Sequence, residues 1–278
     1  MRMLPKLGIL AGGGSLPRRL ADHCQFIGRE YFLVALKGHA DETTLIGLPH
    51  MWSRLGSAGK IIRELKEQNV KDIVMVGPVR RPSMLTVFPD WRGIKFLTRV
   101  GHRAMGGDNS LLTAIAEEFE REGFTIVGIH ELIQGLLAPV GLFGRVRPAH
   151  RALKFIEIGI KEVQNLGQRD IGQAVVILGE NVIGLEDGNG TDDLIRRCRN
   201  KVLDDNGPIL IKAKKPGQDR RFDLPTIGVQ TVQLAVECGF AGIAIEAGQT
   251  LVVDMPNVTK IADENGLFIV GVSLSDGL

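Results

Sequence analysis

The sequence predicts an α/β protein of two domains, a doubly wound parallel sheet followed by a mixed α/β domain. Three observations predict it. Apolar runs of strand length alternate with segments of helical apolar spacing through the first 130 residues, the pattern of βαβ units. Residues 131–150 then lapse into Gly- and Pro-containing sequence, and a hairpin signal follows. The chain has 278 residues, against a usual domain size of roughly 100 to 200. The domains read as 1–132, a tether over 133–150, and 151–278.

In order, Leu7–Ala11 reads as a buried strand, Gly12 to Ser15 as a turn, and Leu16–Phe26 as a helix. Tyr31–Leu36 gives a strand, 57–68 a helix, 73–76 a strand, 109–121 a helix and 125–129 a strand. Beyond the tether, Ala174–Leu178 and 182–185 flank Gly179-Glu180-Asn181 as a hairpin. Helix 192–203, strand 209–213, helix 230–238, a second hairpin around Ala247 to Gln249, helix 258–264 and strand Phe268–Val272 complete the second half.

Composition narrows the function classes. Hydrophobic residues make up 44% and charged ones 24%, an ordinary globular balance. The net charge of +2, from 34 basic and 32 acidic residues, gives no global field for nucleic acid. Cys24, Cys198 and Cys238 form neither a CxxC pair nor a disulfide framework, which suits a reducing cytosol. The run from Leu7 to Ala11 is too short for a signal-peptide core, and no stretch reaches membrane-span length. A peripheral membrane contact needs only an apolar and basic patch, so it stays open.

Gly12-Gly13-Gly14-Ser15-Leu16-Pro17 lets the backbone approach a ligand, and the next helix offers unpaired N–H groups to a phosphate. A tight turn with no ligand is the competing reading. The dinucleotide fingerprint is absent, because Pro17 stands where a glycine is needed and Lys37 where an acidic residue would bind ribose. Gly56-Ser57-Ala58-Gly59-Lys60 fails as a P-loop at Arg54 and Ile61. Asp108 and Asn109, after Gly106-Gly107, open a helix that either could cap.

Glu186-Asp187-Gly188-Asn189-Gly190-Thr191-Asp192 sets carboxylates and a hydroxyl in a turn before a helix. It departs from the EF-hand loop at Asp192 and Cys198, and a plain turn with a helix cap also explains it. The densest segment, 212–228, carries Lys212, Lys214, Lys215, Arg220 and Arg221 with Asp219 and Asp223. Carboxylates for a hard cation beside Lys and Arg for phosphate oxygens suit a metal-bound polyphosphate, though a solvated basic loop would look similar. The six histidines show no ligand spacing, and neither HExxH nor GxSxG occurs.

On these residues the sequence resembles the LpxI family of UDP-2,3-diacylglucosamine pyrophosphatases. The motifs are Gly12 to Pro17, Gly106 to Asn109, Glu186 to Asp192 and 214–228. The resemblance spans essentially the whole chain. It implies an N-terminal Rossmann-like domain tethered to a distinct C-terminal domain, with a site between them. It also implies Mg²⁺ dependence, with Mn²⁺ as a substitute, and hydrolysis of UDP-2,3-diacylglucosamine to UMP and 2,3-diacylglucosamine 1-phosphate (lipid X). On that basis Asp223 is the essential carboxylate, held by the rigid Leu224-Pro225 turn, while Asp219 falls in the looser part of the loop. Lys214, Gln218 and Arg221 contact the diphosphate, and Glu186 and Asp187 join Asp223 around the metal. Gly12, Gly13, Gly14, Ser15, Leu16, Asp108, Asn109, Thr191 and Asp192 bind substrate. The partners are the lipid substrate, its product and the cytoplasmic face of the inner membrane, with a homodimer allowed.

The acyl chains have two candidate places. One is Met84 to Phe88 with Trp91, Ile94, Phe96 and Leu97 among Arg92, Lys95 and Arg99; the other is Leu136, Leu137, Leu142 and Phe143. Domain core is the alternative for both. Two other classes stand beside the hydrolase. A nucleotide-sugar oxidoreductase needs the missing fingerprint, and a non-enzymatic nucleotide-sugar-binding regulator would bind without metal-dependent turnover.

Overall fold

A computed structural model describes residues 4–79, 108–169, 171–199 and 207–274. It divides the chain into two compact units, one of residues 1–134 with 219–223, the other of 135–218 with 224–278.

In the first unit five parallel strands lie in the order β3-β2-β1-β4-β5. They are β1 (Leu7–Ala11), β2 (Tyr31–Leu36), β3 (His50–Ser53), β4 (Asp72–Val76) and β5 (Thr125–Ile126). Every residue of β1 and β2 is buried, as expected of central parallel strands covered on both faces, and this is why they read as unbroken apolar runs. Helix α1 (Leu16–Phe26) buries Leu20, Ala21 and Cys24. Helices α2 (Ala58–Glu67) and α3 (Asp108–Arg121) close one core, in which Ile61, Ile62, Leu65, Ala116 and Phe119 meet Leu10, Phe32, Val34 and Ile73. Two short elements depart from expectation. The edge strand β3 lacks an apolar run, and 125–129 ends as β5 followed by α4 (Ile129–Leu132) rather than as one strand.

The second unit holds a six-stranded sheet, β6-β13-β11-β9-β7-β8, and a parallel pair, β10-β12. The strands are β6 (Gly141–Phe143), β7 (Ala174–Leu178), β8 (Asn181–Leu185), β9 (Ile209–Lys212), β10 (Thr226–Gly228), β11 (Gly242–Glu246), β12 (Leu251–Val253) and β13 (Phe268–Val272). The helices are α5 (His150–Gln168), α6 (Thr191–Arg197), α7 (Val229–Glu237) and α8 (Met255–Glu264). Alternation along the strands makes two cores. Val175, Ile177, Ile209 and Ile211 face Ile156 and Val163 of α5. Ala174, Val176, Leu210 and Ile243 face Leu194 of α6, Val232 of α7 and Val258 of α8.

The tether is part of this unit, because β6 pairs antiparallel with β13 and Phe143 enters the core. Leu136 and Phe143, each 4% exposed, therefore serve the core and present no surface to an acyl chain, while Leu137 and Leu142 are half-buried. The other acyl candidate, around Met84 to Leu97, lies outside the described residues. The expected second hairpin is also replaced. Strand β11 pairs in parallel with β9 and β13, while β12 joins β10, so the turn at Ala247 to Gln249 links two different sheets.

Candidate functional site

In the first unit the strand order reverses between β1 and β4, and open α/β sheets hold ligands outside the carboxyl ends of strands at such a point. The Gly12 loop follows β1 there, and Gly77-Pro78 follows β4. The two loops touch through their backbones. A Cβ on Gly12 would lie 2.6 Å from the carbonyl oxygens of Gly77 and Pro78, and one on Gly13 2.9 Å from that of His39. Glycine is required here by close packing, whatever else binds.

The loop's donors are already engaged in part. Gly12 N–H donates to Val76 and Gly13 N–H to Pro78. Gly14 N–H donates to the Asp41 carboxylate at 2.8 Å. Gly14 and Ser15 are exposed, Leu16 is half-buried, and the Ser15 hydroxyl caps no helix N–H. Asp108 and Asn109 open α3, and their side chains lie outside the described residues.

The dense segment splits between the units. Its first part stays with the second unit and is stapled to itself. Lys214 N–H donates to Glu246 Oε2 at 2.8 Å, and the Lys214 ammonium turns back to the carbonyls of Lys215 and Gln218. Gln218, buried, accepts the Lys215 N–H through Oε1 at 3.1 Å.

Residues 219–223 count with the first unit. They form a single tight turn in which Phe222 N–H and Asp223 N–H point to the Asp219 carbonyl. The Asp219 side chain organises that turn. It accepts the Arg221 backbone N–H at 2.9 Å and grips the guanidinium at 3.1 and 2.7 Å, a paired geometry that fixes orientation. Asp219 is thus the nucleus of the turn rather than its loose part. Arg221 also meets Glu120 of α3 at 2.6 Å, and Phe222 packs on the first unit's core. These carboxylates, Asp219 first and then Glu120, hold Arg221 above the ordinary arginine pKa. Nearby, burial and then the charge of Arg220 push the His130 imidazole below its ordinary value.

In the second unit Glu186 lies 6% exposed behind β8 with both oxygens engaged. Oε2 accepts Gln173 N–H at 2.7 Å and Oε1 the Thr191 hydroxyl at 2.5 Å. Thr191 in turn accepts from Lys212 at 2.7 Å, and Lys212, 5% exposed, also reaches the Thr226 carbonyl at 3.2 Å. Burial lowers the Lys212 pKa, opposed by Glu186 and Asp192. Asp187 accepts Asn189 N–H and Arg197, and Asp192 is exposed on α6.

Two of the carboxylates expected around a metal are already engaged within the second unit. Glu186 is saturated by protein donors, Asp187 faces Arg197, and Asp223 counts with the other unit. Among the described residues no group of three His, Cys, Asp or Glu side chains could hold an ion. Within the second unit, Glu186 and Asp187 on their own do not make a metal shell.

Sequence reasoning missed Glu246, which accepts the Lys214 N–H at 2.8 Å and lies beside Lys212 on the sheet. The two residues end neighbouring parallel strands, with Lys212 opposite Ile245 in register. The readable signal was a charged residue completing an otherwise buried run. Gln173, whose Oε1 is buried without a hydrogen-bond partner among the described residues, carried no such signal.

Residues 6–136 match the family model of the LpxI N-terminal domain, and residues 139–270 that of the LpxI C-terminal domain. A relative from Caulobacter vibrioides, UDP-2,3-diacylglucosamine pyrophosphatase LpxI, is 39% identical over 273 residues, 96% of this chain and 97% of its own. Among solved structures, Staphylococcus aureus N5-carboxyaminoimidazole synthetase with ADP covers 70% of this chain and 43% of its own. Its identity is 16% and its TM-score 0.23, too low to carry an argument.

Proposed function

The chain belongs to the LpxI family, and from that premise we propose that it hydrolyses UDP-2,3-diacylglucosamine to UMP and 2,3-diacylglucosamine 1-phosphate in lipid A biosynthesis. The observation that carries this reading is a relationship running through both halves of the chain at 39% identity. It favours the hydrolase over an oxidoreductase or a non-enzymatic regulator.

Opening a phosphoric anhydride calls for charge neutralisation and an in-line water more than for a protein nucleophile. In this reading Asp223 orients the attacking water, and Lys214 offers positive charge to phosphate oxygens. The N-terminal unit is the Rossmann-like nucleotide holder, with Gly14 and Ser15 as the exposed part of its glycine loop.

Mg²⁺ dependence, with Mn²⁺ as a substitute, belongs to the same proposal. In this reading such an ion arrives with the substrate's own diphosphate, because Glu186 and Asp187 are already engaged by protein donors. Among the described residues no helix is long and apolar enough to cross a membrane. A diacylated substrate nevertheless places the working enzyme at the cytoplasmic face of the inner membrane, as a peripheral protein.

The test is direct. Purified protein incubated with UDP-2,3-diacylglucosamine and Mg²⁺ should release UMP. Binding of that substrate without UMP release would favour the regulator.

A further inference from the structure

Asp223 does not float on a loop. It ends the turn 219–223, whose other side chains hold the N-terminal unit at two points. Phe222 packs on the core that includes Phe119 and Ala116 of α3. Arg221 bridges Asp219, at 2.7 Å, to Glu120 of the same helix, at 2.6 Å, and its guanidinium lies 5.8 Å from the Phe222 ring. The residues before and after, through Gln218 and from Leu224, count with the other unit. Arg221 and Phe222 thus tie the turn that ends at Asp223 to α3 and the core around it.

We propose that Glu120 and Arg221 are positioning residues that lock the 219–223 turn on α3 and thereby aim the Asp223 carboxylate. This rests on the reading of Asp223 as the essential carboxylate, and it removes Arg221 from the diphosphate. The charge of this guanidinium is already met by two carboxylates, and its Nε, Nη1 and Nη2 each serve a carboxylate of the turn or of α3. Both partners are partly exposed, at 35% and 41%, so the contact adds little to global stability. Small displacements of a reacting group cost rate far more than binding.

The test compares Glu120→Gln, Arg221→Gln and the double variant in steady-state hydrolysis of UDP-2,3-diacylglucosamine, with thermal midpoints measured alongside. Each single variant should lower kcat by about tenfold or more with KM unchanged, as expected when a reacting group is misplaced. The double variant should be no worse than the poorer single, because both remove one contact. Midpoints should stay near that of the parent protein. If Arg221→Gln raises KM while Glu120→Gln changes nothing, Arg221 touches substrate and the proposal is wrong. Unchanged kcat in both, or strictly multiplying effects, also overturns it. Asp223→Ala in the same assay separates the two readings. If that variant keeps turning over, the role of Asp223 fails; if it is dead while Glu120→Gln is fully active, only the lock fails.

Discussion

The ammonium of Lys212 lies 2.7 Å from the hydroxyl of Thr191, and that hydroxyl donates to Glu186 at 2.5 Å. A buried cation and a buried anion thus share one hydroxyl, which explains how both are tolerated inside the second unit. Removing Lys212 leaves Glu186 with its Gln173 and Thr191 donors but without the nearby cation. Lys212→Ala should cost about 1.5–3 kcal/mol, read as a lowered denaturant midpoint. Lys212→Met combined with Glu186→Gln should recover part of that loss. A loss below about 1 kcal/mol for the single variant would place the network outside the stability of the unit.

The same saturation bears on metal. Chelation with EDTA should stop hydrolysis, and Mg²⁺ or Mn²⁺ should restore it, since hard cations suit diphosphate oxygens. Glu186→Gln should leave the Mg²⁺ concentration for half-activation unchanged while lowering stability. A tenfold rise in that concentration would make Glu186 a ligand after all, and activity untouched by exhaustive chelation would end the metal proposal.

At the Gly12 loop, packing and binding separate by position. Gly12→Ala pushes a Cβ to 2.6 Å from two carbonyl oxygens and should cost about 1–3 kcal/mol, as overpacking does. Ser15→Ala removes an exposed hydroxyl and should stay within roughly 0.5 kcal/mol of the parent while raising KM. If Ser15→Ala binds substrate normally, the loop is a structural turn only.

His130 predicts a pH effect on stability. Its imidazole is held below the ordinary value of 6.5 by burial first and by Arg220 second. Above pH 6.5 the group is neutral in folded and unfolded chains alike. As pH falls through 6.5 the unfolded chain takes a proton that the folded chain resists, so stability drops until the lowered folded value is reached. The thermal midpoint of His130→Gln should therefore fall less steeply below pH 6.5 than that of the parent. Identical slopes would show that His130 does not contribute.

What could be read from sequence follows burial. Strands β1, β2 and β13, central and apolar, appear at their full extent because their pattern needs no partner to interpret. Helix α5 carries its pattern in a buried stripe. Ala152, Ile156, Gly159, Val163 and Leu166 repeat at helical spacing, and the glycine in the stripe masks it by closing on Ile211 and Ile177. Strands β3, β6 and β10 are short and depend on partners distant in sequence, so local pattern could not announce them. At the site, residue types singled out the segments at Gly12, Glu186 and 214–228. Their roles were not legible, because whether Arg221 meets a phosphate or Glu120, 101 residues away, is decided by tertiary structure alone.

The central claim is that this chain is a hydrolase whose turnover depends on Asp223, and UMP release by the parent protein and by Asp223→Ala, measured side by side on UDP-2,3-diacylglucosamine, tests it most directly. The parent should release UMP. Asp223→Ala should bind the substrate, keep its thermal midpoint and release essentially none, because the lost carboxylate acts in the transition state rather than in binding. UMP release at the parent's rate by the folded variant would contradict the account.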